Sequence, residues 1–329
     1  MRVGVIGAGR VSGGHAAAAK SVPGLRLHAV SEPHEERREA FVQRHGAAAA
    51  YADHREMLSD GEIDLALLGL PHWLHAPIAI DCLNAGVHTL VEKPMAVSVK
   101  ECGAMMEAAD ANRVQLMVGH TQQFFQANLV TRRLLRSGQI GEIVMADESW
   151  HKSYGLAARP AWFNDRAKGG GMWLMNGSHM VDRLLFLFES RVAAVKGMVS
   201  RKIMRLDADD AAAALLQFEN GAYAVIVHAG HRRPERMMEK PGYIGEIVGS
   251  EGCVRTEPYR GNVWLMTDEE YEPVEVPKGG GVVAEIAAFV EAIEKSAPPP
   301  ISNEHSKHVV EILLAVEQSS ETGREVRLD

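Results

Sequence analysis

The chain begins Met1-Arg2-Val3-Gly4-Val5-Ile6-Gly7-Ala8-Gly9-Arg10-Val11-Ser12, and this stretch decides the fold of its first third. An apolar run of strand length leads directly into Gly7-x-Gly9-x-x-Ser12. The first glycine permits a tight turn, and the second lets the backbone approach a pyrophosphate at the N-terminus of the next helix. Ser12 replaces the usual third glycine and is small enough to preserve close packing. We therefore expect five residues to contact a dinucleotide: Gly7, Ala8, Gly9, Arg10 and Val11.

A glutamate at the end of the second predicted strand supports this prediction. Glu32 can accept hydrogen bonds from the ribose hydroxyls of adenosine, and its charge would repel a 2′-phosphate. The sequence therefore favours NAD as the cofactor. Arg37 and Arg38 follow closely and leave NADP open.

The first 120 residues alternate short apolar runs with amphipathic segments, which is typical of a doubly wound parallel sheet. Strands are predicted at residues 2–6, 25–31, 64–69, 87–91 and 114–118. Ser98 with Glu101 forms a capping box that begins a helix, while Gly46 and Gly86 stand where helices end.

After about residue 120 the pattern changes to consecutive strands joined by tight turns. They are predicted at residues 143–150, 192–203, 211–218, 222–229, 243–248 and 263–266. Asn220-Gly221 between two of them predicts a type I′ turn, in which both central residues have positive φ. Helices are predicted at 283–294 and 302–320, on either side of a proline-rich segment. The fold class is α/β: an N-terminal Rossmann domain and a C-terminal α+β domain with an open, mainly antiparallel sheet.

Composition and charge exclude several kinds of partner. A chain of 329 residues is longer than one ordinary core, so two domains are expected. The net charge of -8 and the lack of a Lys/Arg run argue against nucleic acid and anionic membranes. The N-terminus lacks the features of a signal peptide, and the three widely spaced cysteines predict no disulfide framework. We therefore expect a cytoplasmic protein.

Further motifs extend over nearly the whole length. In order, they are the opening glycine loop with His15 after it, Glu32-Pro33, Leu70-Pro71-His72 with His75, Glu92-Lys93-Pro94, residues 138–143, and Gly169-Gly170-Gly171 followed by Gly177-x-His179 and Asp182. Together they resemble the glucose-fructose oxidoreductase, inositol dehydrogenase and MocA (Gfo/Idh/MocA) family.

This resemblance implies an NAD(P)-dependent dehydrogenase or reductase and a definite domain order. A Rossmann domain at 1–120 precedes a substrate and oligomerisation domain at 121–300, and a C-terminal helix within 301–329 returns to the first domain. It also adds members to the expected cofactor-binding set: Leu70, Pro71, His72, His75, Glu92 and Lys93.

Lys93 is the first candidate catalytic residue. It lies at the carboxyl end of a predicted parallel strand, the edge at which Rossmann proteins bind ligands. Glu92 can orient its ammonium group, and Pro94 restricts the chain there. The resemblance implies that this lysine touches both the nicotinamide ribose and the substrate hydroxyl.

His179 is the second candidate, and it follows three glycines that let the chain pass close to a cofactor. The resemblance implies an aspartate four residues earlier, on the same helix face. Met175 stands there instead, and a thioether cannot stabilise an imidazolium. Asn176 could form a neutral hydrogen bond with His179, and Asp182 or Asp165 could supply the carboxylate that supports its imidazole. His179 could also act mainly as a hydrogen-bond donor to substrate.

Six other residues near these motifs are candidates for the substrate site: His120, Gln122, Trp150, Trp162, Met175 and Asn176. The two tryptophans could equally belong to the core or to an interface. His72-x-x-His75 resembles a metal pair, but no third and fourth ligand recurs at a recognisable spacing, so we expect no metal.

The predicted reaction transfers a hydride between nicotinamide and a secondary alcohol of a sugar, polyol or related small molecule. Lys93 would stabilise the developing oxyanion, and His179 would take the hydroxyl proton. Three alternatives stay open: a lyase or glycosidase that oxidises transiently with retained NAD, an imine or enone reductase, and a non-catalytic cofactor-sensing protein. The open sheet has a face to bury, so a homodimer or homotetramer is expected.

Overall fold

The computed structural model describes residues 1–232 and 242–328. The chain divides into two compact units, one made of Met1–Thr121 with Gly280–Lys307 and the other of Gln122–Gly279 with His308–Asp329. Whether the functional domains are bounded at 1–120, 121–300 and 301–329 stays a prediction.

The first unit is built on a parallel sheet of six strands. They are β1 (Arg2–Ile6), β2 (Arg26–Ser31), β3 (Ala49–Tyr51), β4 (Leu65–Leu68), β5 (His88–Glu92) and β6 (Leu116–Gly119). Their order is β3-β2-β1-β4-β5-β6, and every neighbouring pair is parallel. The Rossmann prediction is therefore confirmed. Strand β3 was not predicted, because a three-residue strand within an alanine run carries no apolar period.

Five helices connect these strands. They are α1 (Arg10–Ser21), α2 (Glu35–His45), α3 (His54–Ser59), α4 (His75–Asn84) and α5 (Val99–Asn112). Ser98 Oγ accepts from the backbone N–H of Glu101 at 3.2 Å, which begins α5 as expected. Gly46 ends α2 with φ of 66°, and Gly86 follows α4 with φ of 78°. These cap predictions are confirmed.

In its described residues, the second unit contains a sheet of nine strands. After α6 (Gln126–Arg136), it comprises β7 (Ile143–Ser153), β8 (Val192–Ser200), β9 (Ala211–Phe218), β10 (Tyr223–His231), β11 (Gly242–Gly249), β12 (Cys253–Glu257), β13 (Asn262–Met266), β14 (Glu272–Val274) and β15 (Val326–Arg327). The order is β14-β13-β12-β11-β7-β10-β9-β8-β15. Strands β7 and β10 pair in parallel and the other described pairs are antiparallel, so the predicted sheet type is confirmed.

The turn between β9 and β10 corrects one prediction. Gly221 has φ of 90°, but Asn220 is not among the residues with positive φ, so the turn is not type I′. The N–H of Gly221 donates to Phe218 O at 3.1 Å, and that of Phe218 donates to Ala222 O at 2.8 Å. These bonds close a three-residue loop with only the glycine left-handed, a common alternative for hairpins. The Asn220 side chain supports it by accepting from Ala222 N at 3.1 Å.

The two faces of the second sheet have different surroundings. One face packs against α6 and α7 (Ser178–Phe188) in a core that includes Leu184, Phe188 and Ile226. The opposite face leaves several apolar side chains exposed: Met198, Leu215, Tyr223, Val227 and Ile244. Alternate residues along β9 follow this division, as expected of a sheet covered on one side.

Two further helices lie near the C-terminus. In the first unit, α8 (Val282–Glu294) packs against α1. The boundary between the two units falls within α9 (Asn303–Thr322). Among the residues that the structure describes, no helix has the length and apolar character needed to cross a membrane.

Candidate active site

The carboxyl ends of the strands in the first unit carry the candidate cofactor residues. Gly7 follows β1, Glu32 follows β2, Leu70 lies just beyond β4, and Lys93 follows β5. Because parallel strands end at the same edge of a sheet, residues far apart in sequence meet there. This is the edge at which open α/β sheets bind their ligands.

The glycine loop is shaped for close approach of a ligand to the backbone. Gly7 has φ of 89°, and a Cβ at this position would lie 2.6 Å from Gly69 O. Gly9 is at the N-cap of α1, where a Cβ would meet nothing within 4 Å. The first turn of α1 has no acidic side chain. This open helix N-terminus fits the negative charge of a pyrophosphate.

Ser12, at the position of the usual third glycine, is accommodated by a glycine across from it. Its side chain is fully buried, and Oγ donates to Gly69 O at 3.2 Å. A Cβ on Gly69 would collide with that same Oγ. The glycine in the loop after β4 thus makes room for the serine in α1.

Glu32 is fixed between the glycine loop and the start of α2. Its Oε2 accepts from the N–H of Ala8 at 2.9 Å, and Oε1 accepts from the N–H of His34 at 3.1 Å. Arg38 donates to the backbone oxygen of Glu32 at 2.7 Å. A carboxylate oxygen can accept more than one hydrogen bond, so both remain able to bind ribose hydroxyls.

Lys93 lies in a buried turn at the end of β5. It is 9% exposed, and the Lys93–Pro94 peptide bond is cis. Glu92 Oε2 accepts from the N–H of Lys93 at 3.2 Å, while Oε1 lies 3.0 Å from His15 Nε2. Burial raises the pKa of Glu92, but His15 and the Lys93 charge outweigh it and lower that pKa overall. Orientation of the lysine ammonium by Glu92 stays a prediction.

His75 joins the loop after β4 to the loop after β5. Leu70 and Pro71 precede a short 3-10 turn (His72–Leu74), and α4 begins at His75. The buried His75 ring has Nδ1 2.7 Å from Pro94 O and Nε2 3.0 Å from Leu70 O. Burial lowers its pKa, and a neutral ring donates to one of these oxygens at a time. Within the described ranges no three potential metal ligands form a group.

His120 follows β6 and is fully buried in the first unit. Its ring meets that of His305 edge-on, with centroids 5.7 Å apart. The next residue, Thr121, donates from Oγ1 to Glu285 at 3.1 Å. His120 therefore lies where β6 meets residues from the C-terminal part of the first unit.

In the second unit, three glycines precede the helix that carries His179. Gly169 and Gly171 have φ of 69° and 110°. A Cβ on Gly170 would collide with Phe163 O, and one on Gly171 would collide with Asp209 Oδ1. Glycine is therefore required in this segment by backbone conformation and by close contacts.

Asp209 anchors the chain that follows these glycines. Its Oδ2 accepts from the N–H groups of Met172 at 2.9 Å and Trp173 at 2.7 Å. Burial raises its pKa to about 7. This role could not be predicted for Asp209, because no local motif links it to a helix start 36 residues away.

The helix that carries His179 begins with a π-helical turn (Trp173–Gly177), which leads into α7. A Cβ on Gly177 would collide with the Trp173 ring, so this glycine permits the turn. Met175 and His179 are half-buried, whereas the three residues between them are buried. Both therefore face the more open side of the helix. Single π turns are frequent at functional sites.

Met175 stands where the family resemblance implies an aspartate. The charged group next to it is a cation, Arg159, and not a carboxylate. Arg159 Nη1 lies 3.1 Å from Met175 Sδ, and its guanidinium lies over the Phe163 ring at 4.2 Å. Asn176 is buried, with Nδ2 3.5 Å from Met172 Sδ.

The two aspartates considered as supports for His179 have other described partners. Asp182 Oδ1 accepts from Gln123 at 2.7 Å. Asp165 caps a short 3-10 turn by accepting from Ala167 N at 3.0 Å, and its other oxygen lies 3.2 Å from Lys168. The identity of the group that supports His179 therefore stays a prediction.

Three other candidates for the substrate site also lie in the second unit. Trp150 is buried in β7, and its ring centroid is 6.1 Å from that of His179. Buried Gln122 donates to Tyr259 Oη at 3.3 Å. Trp162 packs against Phe163 with centroids 5.7 Å apart. The structure therefore brings Trp150 close to His179, whereas Trp162 belongs to a small cluster around Phe163.

Arg183 and Glu148 form a buried ion pair. The pair lies beside Tyr243, whose ring is next to that of Trp150. Both charged side chains are inaccessible to solvent. Tyr243 donates to Glu148 Oε2 at 2.6 Å. The remaining guanidinium donors bind Asn128 Oδ1 at 2.7 Å and Thr256 Oγ1 at 3.0 Å. This network fixes the Tyr243 ring, because each polar atom of the pair has a neighbour.

Comparisons with known proteins agree with this architecture. The family profile "Oxidoreductase family, NAD-binding Rossmann fold" matches residues 1–120, and "GFO/IDH/MocA C-terminal domain" matches residues 129–255. A 1-carboxy-3-chloro-3,4-dihydroxycyclohexa-1,5-diene dehydrogenase of Comamonas testosteroni is 28% identical over 79% of this chain, which spans 65% of that protein. Myo-inositol 2-dehydrogenase of Thermotoga maritima is 25% identical over 100% of this chain and 99% of its own. Levoglucosan dehydrogenase, solved in complex with NADH, has the same fold, with a TM-score of 0.90, 20% identity and coverage of 100% and 99%.

Proposed function

Because the chain belongs to the Gfo/Idh/MocA family and is therefore an NAD(P)-dependent oxidoreductase, we propose that it transfers a hydride reversibly between nicotinamide and a secondary alcohol. The substrate is a sugar, a polyol or a related hydroxylated small molecule. Two relatives support this class, since they are named for a dihydroxycyclohexadiene and for myo-inositol.

The cofactor is bound by the edge of the first sheet. The open N-terminus of α1 at Gly9 receives the pyrophosphate, and Glu32 binds the ribose hydroxyls. A carboxylate there favours NAD over NADP, because it repels a 2′-phosphate. The loops that carry Leu70, Pro71, His72 and His75 complete the site, since His75 links them to the turn at Pro94.

The burial of Lys93 at the end of β5 is the observation on which the proposal mainly rests. A lysine that is only 9% exposed, at the carboxyl end of β5, is rare in a purely structural turn. Its ammonium stabilises negative charge on the reacting oxygen, and His179 takes the hydroxyl proton directly or through water. When bound, NAD accepts the hydride from the substrate carbon.

Replacement of Lys93 by methionine tests this role. We expect Lys93→Met to lower kcat/KM by about 10²–10⁴-fold while the Kd for NAD stays nearly unchanged. The matched control is Lys100→Met, which removes an exposed lysine from α5 and should leave both constants at their wild-type values. Full activity of Lys93→Met would contradict the proposal.

A screen of sugars and polyols with NAD and NADP separates the alternative functions. A dehydrogenase changes nicotinamide absorbance and yields a product two hydrogens lighter by mass spectrometry. A lyase or glycosidase with retained NAD yields product without net absorbance change, and an imine or enone reductase consumes only reduced nucleotide. A cofactor sensor binds nucleotide without any product.

The protein is further proposed to act in the cytoplasm as a homodimer or homotetramer. The exposed apolar side chains on the outer face of the second sheet support self-association, because such patches are usually covered. Light scattering coupled to size exclusion measures the assembly. A monomer at micromolar concentration would contradict it.

A further inference from the structure

A row of ring side chains crosses the helix-covered face of the second sheet. Trp150 in β7 is paired with His228 in β10 and with Tyr243 in β11. Its ring stacks on Tyr243 at 5.0 Å and 10°, and meets His228 edge-on at 5.7 Å. His179 at the start of α7 approaches the same indole at 6.1 Å. One indole therefore lies next to two imidazoles.

Two members of this row have polar atoms without a hydrogen-bond partner in the described part of the chain. Trp150 and His228 are 2% and 1% exposed. Neither Trp150 Nε1 nor either ring nitrogen of His228 is bonded to another described residue. Buried polar atoms are nearly always paired, and an unpaired one destabilises the fold. A ligand that binds these atoms would explain why both are kept.

The donors and acceptors of the two side chains define the chemistry of that ligand. Burial, with the charges of Lys152 and His151, lowers the pKa of His228 to about 3, so the ring is neutral near pH 7. One of its nitrogens then accepts, whereas the indole N–H only donates. A hydroxyl can accept from the indole and donate to the imidazole. A carboxylate has no proton for the imidazole, and an ammonium has no lone pair for the indole.

We propose, resting on the function assigned to His179 above, that Trp150 and His228 bind a second, non-reacting hydroxyl of the substrate. Since the same indole meets both imidazoles, this hydroxyl is on the carbon next to the reacting one. The protein is thus selective for vicinal diols, with His228 as the specificity residue. Tyr243 stacks on the indole, and the ring of Tyr259, which is 39% exposed, has its centroid 5.2 Å from that of Trp150.

Cyclohexanol and the two isomers of 1,2-cyclohexanediol test this selectivity, because they share a ring and differ in the neighbouring hydroxyl. With NAD, we expect wild-type kcat/KM to favour one diol isomer over the monoalcohol by about tenfold or more. His228→Leu should reduce that ratio by about tenfold, the loss of one buried hydrogen bond. His228→Asn keeps a donor and an acceptor and should retain most of the ratio. An unchanged ratio in His228→Leu overturns the inference.

The exposed His151, on the opposite face of β7, provides the matched control: His151→Leu should keep the wild-type ratio. A second measurement does not depend on turnover. In the ligand-free protein, His228→Leu should raise the thermal midpoint by about 2 °C, because it removes unpaired buried atoms. A lower midpoint would mean that His228 has a structural partner in the folded protein, and it would overturn the inference. If none of the three alcohols yields NADH, the same ratio is measured with a sugar or polyol found active in the screen and its deoxy analogue at the neighbouring carbon; if the screen finds no substrate either, the proposed function fails separately from this inference.

Discussion

Replacement of Asp209 by asparagine should remove a pH dependence of stability that the wild-type protein has between pH 5 and pH 7. Asp209 is 1% exposed and accepts the first N–H groups of the turn that leads to His179. Burial raises the pKa of its carboxyl from 3.8 to about 7. The folded protein therefore holds a proton that the unfolded chain has already released.

The sign and size of the effect follow from this difference. Because the folded-state pKa is the higher one, the stabilising contribution is fully present below pH 3.8 and is lost as the pH rises through about 7. Each pH unit between these values lowers the free energy of unfolding by about 1.4 kcal/mol. Because the carboxyl is already half ionised at pH 7, the step from pH 5 to pH 7 lowers the free energy of unfolding by about 2 kcal/mol. Asparagine does not ionise in this range, so residue 209 of the variant should cause no loss of the free energy of unfolding between pH 5 and pH 7.

Urea unfolding followed by tryptophan fluorescence at pH 5, 6 and 7 measures the effect as the difference between wild type and Asp209→Asn. Asp165→Asn is the matched control, since Asp165 lies in the preceding loop, caps a short turn and is 38% exposed. It should keep the wild-type slope. Equal slopes for wild type and Asp209→Asn would refute the argument.

Three other substitutions probe the cofactor site and the second unit. Glu32→Ala should raise the Kd for NAD more than that for NADP in calorimetric titrations, and an equal loss would rule out ribose binding by this residue. Arg183→Met should lower the free energy of unfolding by about 3–5 kcal/mol, because Glu148 is left buried without its cation, and adding Glu148→Met should recover much of that loss. Gly171→Ala should lower the thermal midpoint, since its Cβ collides with Asp209 at φ of 110°; an unchanged midpoint would show that the loop relaxes.

Much of the fold could be predicted because the signals are local. Strands β1, β4 and β6 are mainly apolar runs, as expected of parallel strands buried on both faces. Strand β12 and the edge strand β14 were missed, because they are short and carry polar residues. The prediction of a type I′ turn was wrong for a related reason. Asn220-Gly221 permits more than one loop length, and the pairing of the flanking strands selects among them.

The cofactor side of the site was also open to prediction. Gly7, Glu32 and Lys93 each directly follow a strand, and parallel strands carry such residues to a common edge whatever the rest of the chain does. The positions of Met175 and His179 on one helix face likewise follow from their spacing. These inferences needed only the order of the elements and the geometry of a helix.

By itself, the sequence determined the Rossmann unit, the nucleotide loop and the residues at its strand ends, because each depends on neighbours within a few positions. Only the tertiary structure decided that Asp209 anchors the turn before His179, that Arg159 lies against Met175, and that His228 lies beside Trp150. These contacts depend on loop conformation and on the register between strands distant in sequence. That register is set by burial over the whole sheet, which no local stretch of residues encodes.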